Sequence, residues 1–141
     1  RYGLDNWQHT QTLRLTDDEL VPMVARGVSV GEIEDLPLIH VLGYRHGWHW
    51  YAEQTAQELL LLRKQRKVDN SVAAYLMAAQ GLGMVLVRSS FVQNQWIKQN
   101  LRTIQLPACK TPEGFFALLN EQKQATEQVQ QVWNWLQDRA C

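Results

Sequence analysis

The sequence has little cysteine: Cys109 and Cys141 are its only two in 141 residues. Two thiols make no disulfide framework, which points to a reducing compartment. Neither sign of charge is in excess. Fourteen Lys and Arg side chains balance fourteen Asp and Glu, so these residues carry no electrostatic footprint for a phosphate backbone. No apolar run approaches the roughly 18 residues that span a bilayer, so no membrane partner is expected. No basic, apolar, small-residue leader opens the chain. Repeats and low-complexity tracts are also lacking; the Gln-rich "NEQKQATEQVQQVW" reads as the polar face of a helix.

The chemistry of common active sites is missing too. His40, His46 and His49 lie close in sequence, but a closed zinc site brings cysteine pairs or a helical His-x-x-x-His with a third ligand. No metal is expected. The carboxylates of "LTDDE" (15–19) fall in a connecting segment, where they read as solvated rather than as an acid–base pair. No nucleophile-elbow motif supports a triad. Nothing demands an enzyme, and no cofactor is expected.

What is present is an ordinary globular balance, 45% apolar and 20% charged, in a length that suits one domain. "ELVPMVA" (19–25) and "PLIHVL" (37–42) are short apolar runs that read as strands. From Trp48, the residues Tyr51, Ala52, Thr55, Ala56, Leu59 and Leu60 recur at helical spacing. Asp69, Asn70 and Ser71 are good N-caps for a helix with Val72, Tyr75, Leu76 and Ala79 as its buried stripe. "MVLV" (84–87) is a strand, and Ser89 or Ser90 caps a helix carrying Val92 and Trp96. "LRTIQL" (101–106) and "FFALLN" (115–120) are further strands, and a last helix turns Val129, Val132, Trp133 and Leu136 to one face. Strands alternating with helices predict an α/β domain with a mainly parallel sheet.

The stretch "AAQGLGMVLVRSS" (78–90) holds a Gly-Leu-Gly. A dinucleotide loop needs a strand before its glycines and a helix after them. Here a helix comes first and a strand follows, so the glycines end a helix, with Gly81 at a left-handed C-cap. They cradle no phosphate.

Three helix starts, "GYRHGWHW", "VDNSV" and "RSSFV", each follow a strand. In open parallel sheets ligands sit beyond the carboxyl ends of strands, beside the helix N-termini, which suit carboxylates and other anions. On that argument a ligand wall is built from His40, His46, Trp48, Asn70, Ser71 and Arg88. The plainer reading is that the serines only cap helices, Arg88 is solvated and the six tryptophans are packing. Both readings stand at this point.

The order of the segments "RYGLDNW", "LTDDELVPMVA", "LPLIHVLGYRHGWHWYAEQ", "VDNSVAAYLMAAQGLGMVLVRSSFV", "LRTIQLP", "GFFALLN" and "VQQVWNWLQDRA" resembles the C-terminal part of a LysR-type transcriptional regulator. The resemblance covers essentially the whole chain. Its most specific portion is the Asp/Asn-Ser helix running into Ala-Ala-x-Gly-x-Gly, a strand and another helix. It implies a periplasmic-binding-protein-like (type II), two-lobed effector domain with a small molecule bound between the lobes. By that analogy residues 18–112 form the second lobe almost complete, and residues 1–17 and 113–141 are pieces of the first. The resemblance further implies self-association as a dimer or tetramer, a cytoplasmic location, and DNA contact only through an N-terminal helix-turn-helix outside these residues. The sequence departs from the family at "VRSS" after the strand and at "VARGVS" after "ELVPM", both near the expected cleft or hinge, so the effector class does not carry over. The alternative is a periplasmic solute-binding domain of the same architecture, serving transport. A flavodoxin-like enzyme ranks last, lacking nucleophile, metal ligands and phosphate loop.

Overall fold

A computed structural model describes residues 1–122 and 125–140. Its contacts divide the chain into two compact units: Glu19–Lys110, and a second made of Arg1–Asp18 with Thr111–Cys141.

The larger unit is a sheet with helices on both faces. Strands β3 (Glu19–Ala25), β4 (Leu38–Val41), β5 (Gln65–Val68), β6 (Met84–Arg88) and β7 (Leu101–Thr103) lie in the order β5-β4-β6-β3-β7, and β8 (Cys109–Lys110) also pairs with β3. The pairs β4–β5 and β4–β6 are parallel, whereas β3 runs antiparallel to β6, β7 and β8. The sheet is therefore mixed, and the parallel order expected from the sequence holds on one side of β6 only.

Strand parity sorts the core. Successive side chains point to opposite faces of a strand, so Met23, Ile39, Val41, Val85 and Val87 share one face. Helices α2 (Ser71–Ala79) and α4 (Gln95–Asn100) supply Ala74, Ala78 and Ile97 against that face. Leu20, Val24, Leu38 and Met84 point the other way, to Trp48, Tyr51 and Leu60 of helix α1 (Trp48–Thr55) and the 3-10 turn Glu58–Leu62.

Several boundaries differ from the sequence expectation. Helix α1 stops at Thr55 because Ala56 adopts a left-handed conformation, φ 54°, and its N–H closes the turn on Ala52. The tighter 3-10 turn that follows buries Leu60 and leaves Leu59 81% exposed. In α2 the fully buried residues are Ala74 and Ala78; of the expected stripe, Tyr75 and Ala79 pack partly buried against the same core, whereas Val72 and Leu76 are exposed. Two alanines four residues apart let the helix approach the sheet closely. Ser89 and Ser90 do not cap a long helix. They open a single turn, α3 (Ser89–Val92), while Asn94 caps α4 by accepting from Trp96 N–H at 2.9 Å. Strand β7 ends at Thr103 rather than Leu106. Its next partner along the Met23–Thr103 ladder is Pro22, which has no N–H to give.

The Gly-Leu-Gly is architecture. Gly81 has φ 74° beyond the end of α2, the left-handed cap that glycine allows without a Cβ penalty. At Gly83 a Cβ atom lies 2.7 Å from Ile39 Cγ1 and 2.8 Å from the Pro37 carbonyl oxygen, so only glycine lets β6 start against β4.

The smaller unit is a three-stranded antiparallel sheet, β1 (Tyr2–Gly3), β9 (Gly114–Asn120) and β2 (Thr10–Arg14) in the order β1-β9-β2, with helix α5 (Glu127–Arg139). Phe116 and Trp133 are its large buried apolar side chains, and the Trp7 ring meets Phe116 edge-on at 5.0 Å. Thr126 caps α5. Trp133 faces inward as expected, but Val129 and Val132 are exposed.

Candidate functional site

The register Leu20–Arg88 and the parallel pairing Val41–Val68 bring the carboxyl ends of β4, β5 and β6 to one edge of the sheet, beside the start of β3. Parity then decides which side chains converge there. His40 shares a face with Leu38, and Arg88 shares a face with Met84 and Leu86. Both therefore point to the α1 side, where Trp48 lies.

His40, His46, Trp48 and Arg88 line one small cavity of about 20 Å³, together with Tyr44, Gly47 and Leu20. That is room for about one ordered water. Arg88 is only 3% exposed, and its guanidinium carbon lies 4.9 Å from the centre of the Tyr44 ring, a cation–π distance. His46 meets Trp50 edge-on at 4.7 Å. Trp48 is a wall rather than a platform: its indole is buried, and Nε1–H donates to the Ile39 carbonyl at 2.9 Å. Gly47 gives His40 its place, since a Cβ atom there would sit 3.3 Å from the imidazole. Burial lowers the His40 pKa below its ordinary value, helped by the positive charge of Lys67 and by His49. Lys67 is its register partner on β5. The imidazole is thus held neutral near pH 7.

Asn70 and Ser71 are not brought to this cavity. They head α2, which packs on the opposite face of the sheet. Asn70 is exposed and acts as the N-cap, its Oδ1 accepting from Ala73 N–H at 2.9 Å. Ser71 is the first helical residue and lines a separate groove with Tyr75, Leu76, Phe91 and Trp96. Ser89 accepts from Glu19 N–H at 2.9 Å, tying α3 to the first residue of β3.

Sequence reasoning missed Tyr44 and Leu20, while Gly47 falls inside the stretch from His46 to Trp48 that it placed at the wall. Leu20 had no signal of its own, because only the β3–β6 register places it beside Arg88. Tyr44 was findable as the aromatic residue three past the end of β4, in the same loop as His46. Among the described residues no group of three His, Cys, Asp or Glu side chains is placed to hold a metal ion, and no helix is long and apolar enough to cross a membrane.

The family model for the LysR substrate binding domain matches residues 1–141. Comparison with curated proteins gives no match. Among solved structures, the effector domain of the transcriptional regulator AmpR of Pseudomonas aeruginosa is 18% identical, with a TM-score of 0.75, covering 99% of this chain and 70% of that one. A triply substituted effector-binding domain from Citrobacter freundii is 15% identical, with a TM-score of 0.77, covering 100% of this chain and 73% of that one. The regulatory domain of CcmR from Synechocystis, in complex with 2-PG, is 11% identical, with a TM-score of 0.63, covering 99% and 72%. The fold is thus the periplasmic-binding-protein-like fold of these domains, and sensing rather than transport is the reading they favour. The chain belongs to the LysR substrate-binding domain family, the effector-sensing part of LysR-type transcriptional regulators.

Proposed function

We propose that the strand-end edge of the larger unit is the contact point for a small organic anion, a carboxylate in the first instance, one of whose oxygens enters the one-water cavity lined by Arg88, His40, His46 and Tyr44 while its body stays outside. One observation carries this reading: a guanidinium 3% exposed at the carboxyl end of β6, beside two imidazoles. An arginine fork matches a carboxylate in geometry as well as sign, and the neighbouring imidazoles and the Tyr44 hydroxyl add hydrogen-bonding groups beside it. The CcmR domain was solved in complex with 2-PG, which supports a small-molecule effector. Asn70 and Ser71 stay in the proposal only as a helix N-terminus flanking the same sheet edge. The domain senses and does not catalyse. The whole regulator is a cytoplasmic dimer or tetramer that meets DNA through an N-terminal helix-turn-helix, and the effector shifts it between DNA-bound arrangements.

The test is a thermal-shift and calorimetric screen of small carboxylates against their neutral amides, with 2-PG run beside them. A carboxylate should bind saturably, and Arg88→Gln should weaken it by about tenfold or more, the scale of a charge-assisted hydrogen bond. Affinity should also rise as the pH falls below 7, because an anion beside His40 favours the protonated imidazole. Amides that bind as well as acids, or unchanged binding in Arg88→Gln and His40→Gln together, would overturn the assignment.

A further inference from the structure

We propose a second small-molecule site on the larger unit, a groove that takes an amphipathic organic anion with an alkyl or aryl body and one carboxylate or sulfonate head. It shares no residue with the cavity at Arg88. The groove has a volume of about 600 Å³, within the range of small-ligand sites. Its walls are the 3-10 turns Val30–Asp35 and Glu58–Leu62 and the edge formed by residues 102–106.

Two features together set the ligand class. The first is apolar surface left in water: Val30 is 79% and Leu59 81% exposed, and buried Leu60 with Ile104 and Leu106 completes the apolar lining. The second is a pair of half-buried guanidinium groups. Arg63 donates to the Ile33 carbonyl at 2.6 Å, and Arg102 donates to the Val28 carbonyl at 2.7 Å. Those bonds fix the orientation of both side chains and leave further N–H donors on each. Neither guanidinium has a carboxylate within salt-bridge distance among the described residues. Glu34, the one acid in the lining, is among those out of reach. Fixed cations without an anion, beside apolar walls, complement a molecule with one negative end and an apolar body. A neutral hydrocarbon would leave the cations unmatched, and a small polar anion would leave the leucines in water.

The probe is sodium octanoate, compared with octan-1-ol and octyltrimethylammonium. Binding is followed by amide chemical shifts in a 15N-labelled sample of the 141-residue chain. Octanoate should produce saturable shifts confined to residues 28–35, 57–63 and 101–106. Octanol should bind about tenfold more weakly or worse, as should octanoate to the double variant Arg63→Gln/Arg102→Gln. Because both arginines brace backbone carbonyls, Leu59→Glu is the second variant. It leaves the core untouched, puts a negative charge in the groove and should weaken octanoate to the same degree. Octanol binding as tightly as octanoate, shifts mapping elsewhere, or full affinity retained in Leu59→Glu would each overturn the site.

Discussion

At the scale of single residues, the alternation of side chains along a strand separates the histidine and arginine from the asparagine and serine. His40 and Arg88 meet because each lies an even number of residues from a core neighbour that faces α1: Leu38 for one, Met84 for the other. Asn70 and Ser71 satisfy the same strand-end rule but belong to a helix on the other face. Sequence supplied the strand ends and left out the face, since parity becomes meaningful only once the register of β3, β4 and β6 is known. Tyr51 shows a residue whose neighbours fix its chemistry. It is buried on α1, and its hydroxyl donates to the Pro107 carbonyl at 2.7 Å. Burial pushes its pKa up to about 12 from an ordinary 10.0. The folded state therefore holds the phenolic proton in a range where the unfolded chain loses it. Stability from this group is complete below pH 10 and drains away as the pH rises towards 12. An alkaline titration of phenolate absorbance should show one tyrosine ionising last, coincident with unfolding. Tyr51→Phe should lack that step and cost about 1 kcal/mol at neutral pH from the lost hydrogen bond. If all remaining tyrosines of the variant titrate as in the parent, including the last, another residue holds the late proton.

At the scale of elements, the types were legible and several ends were not. Strands β3, β4, β6 and β9 and helices α2 and α5 stand where periodicity and capping residues put them. The misplaced ends have two causes, one a neighbour distant in sequence and one a local turn. Strand β7 stops where its partner is Pro22, and α1 stops where Ala56 takes a left-handed turn that leads into Leu60. Of the stripe expected along α2, Tyr75 and Ala79 pack against the core while Val72 and Leu76 face solvent, and the residues buried completely are Ala74 and Ala78, which permit the closest approach. The N-terminus of α2 also locates its cap on Asn70 rather than Ser71. Asn70→Ala should thus lower the unfolding free energy by about 1 kcal/mol, read as a shift in the urea midpoint at constant slope. Asn70→Asp should hold near the parent, and Ser71→Ala should cost only a few tenths of that, for it supplies no cap. Equal losses in the two alanine variants would mean that the bond from Ala73 N–H is not what holds the first turn.

At the scale of the whole molecule, the two units are unequally built. Both apolar clusters, on the two faces of the β5-β4-β6-β3-β7 sheet, belong to Glu19–Lys110. The other unit has three strands and one helix around Phe116 and Trp133, and its helix carries Val129, Val132 and Trp135 into solvent. Apolar area removed from water is the main source of stability, and regions with little of it open at lower free energy than the core of the fold. Amide hydrogen exchange should then be slowest in β3, β4 and β6, whose residues are closed off on both faces. It should be faster throughout α5, although α5 is the longest helix of the described residues and carries a Thr126 cap. Helix length and capping set how well a helix forms in isolation, whereas exchange from a native state reports how strongly the rest of the unit holds it down. The measurement separates the two ideas. Protection in α5 equal to that in β6 would show that the smaller unit draws its stability from something other than its own buried side chains, such as a second copy of the chain covering Val132 and Trp135. Dilution would then speed exchange in α5 alone.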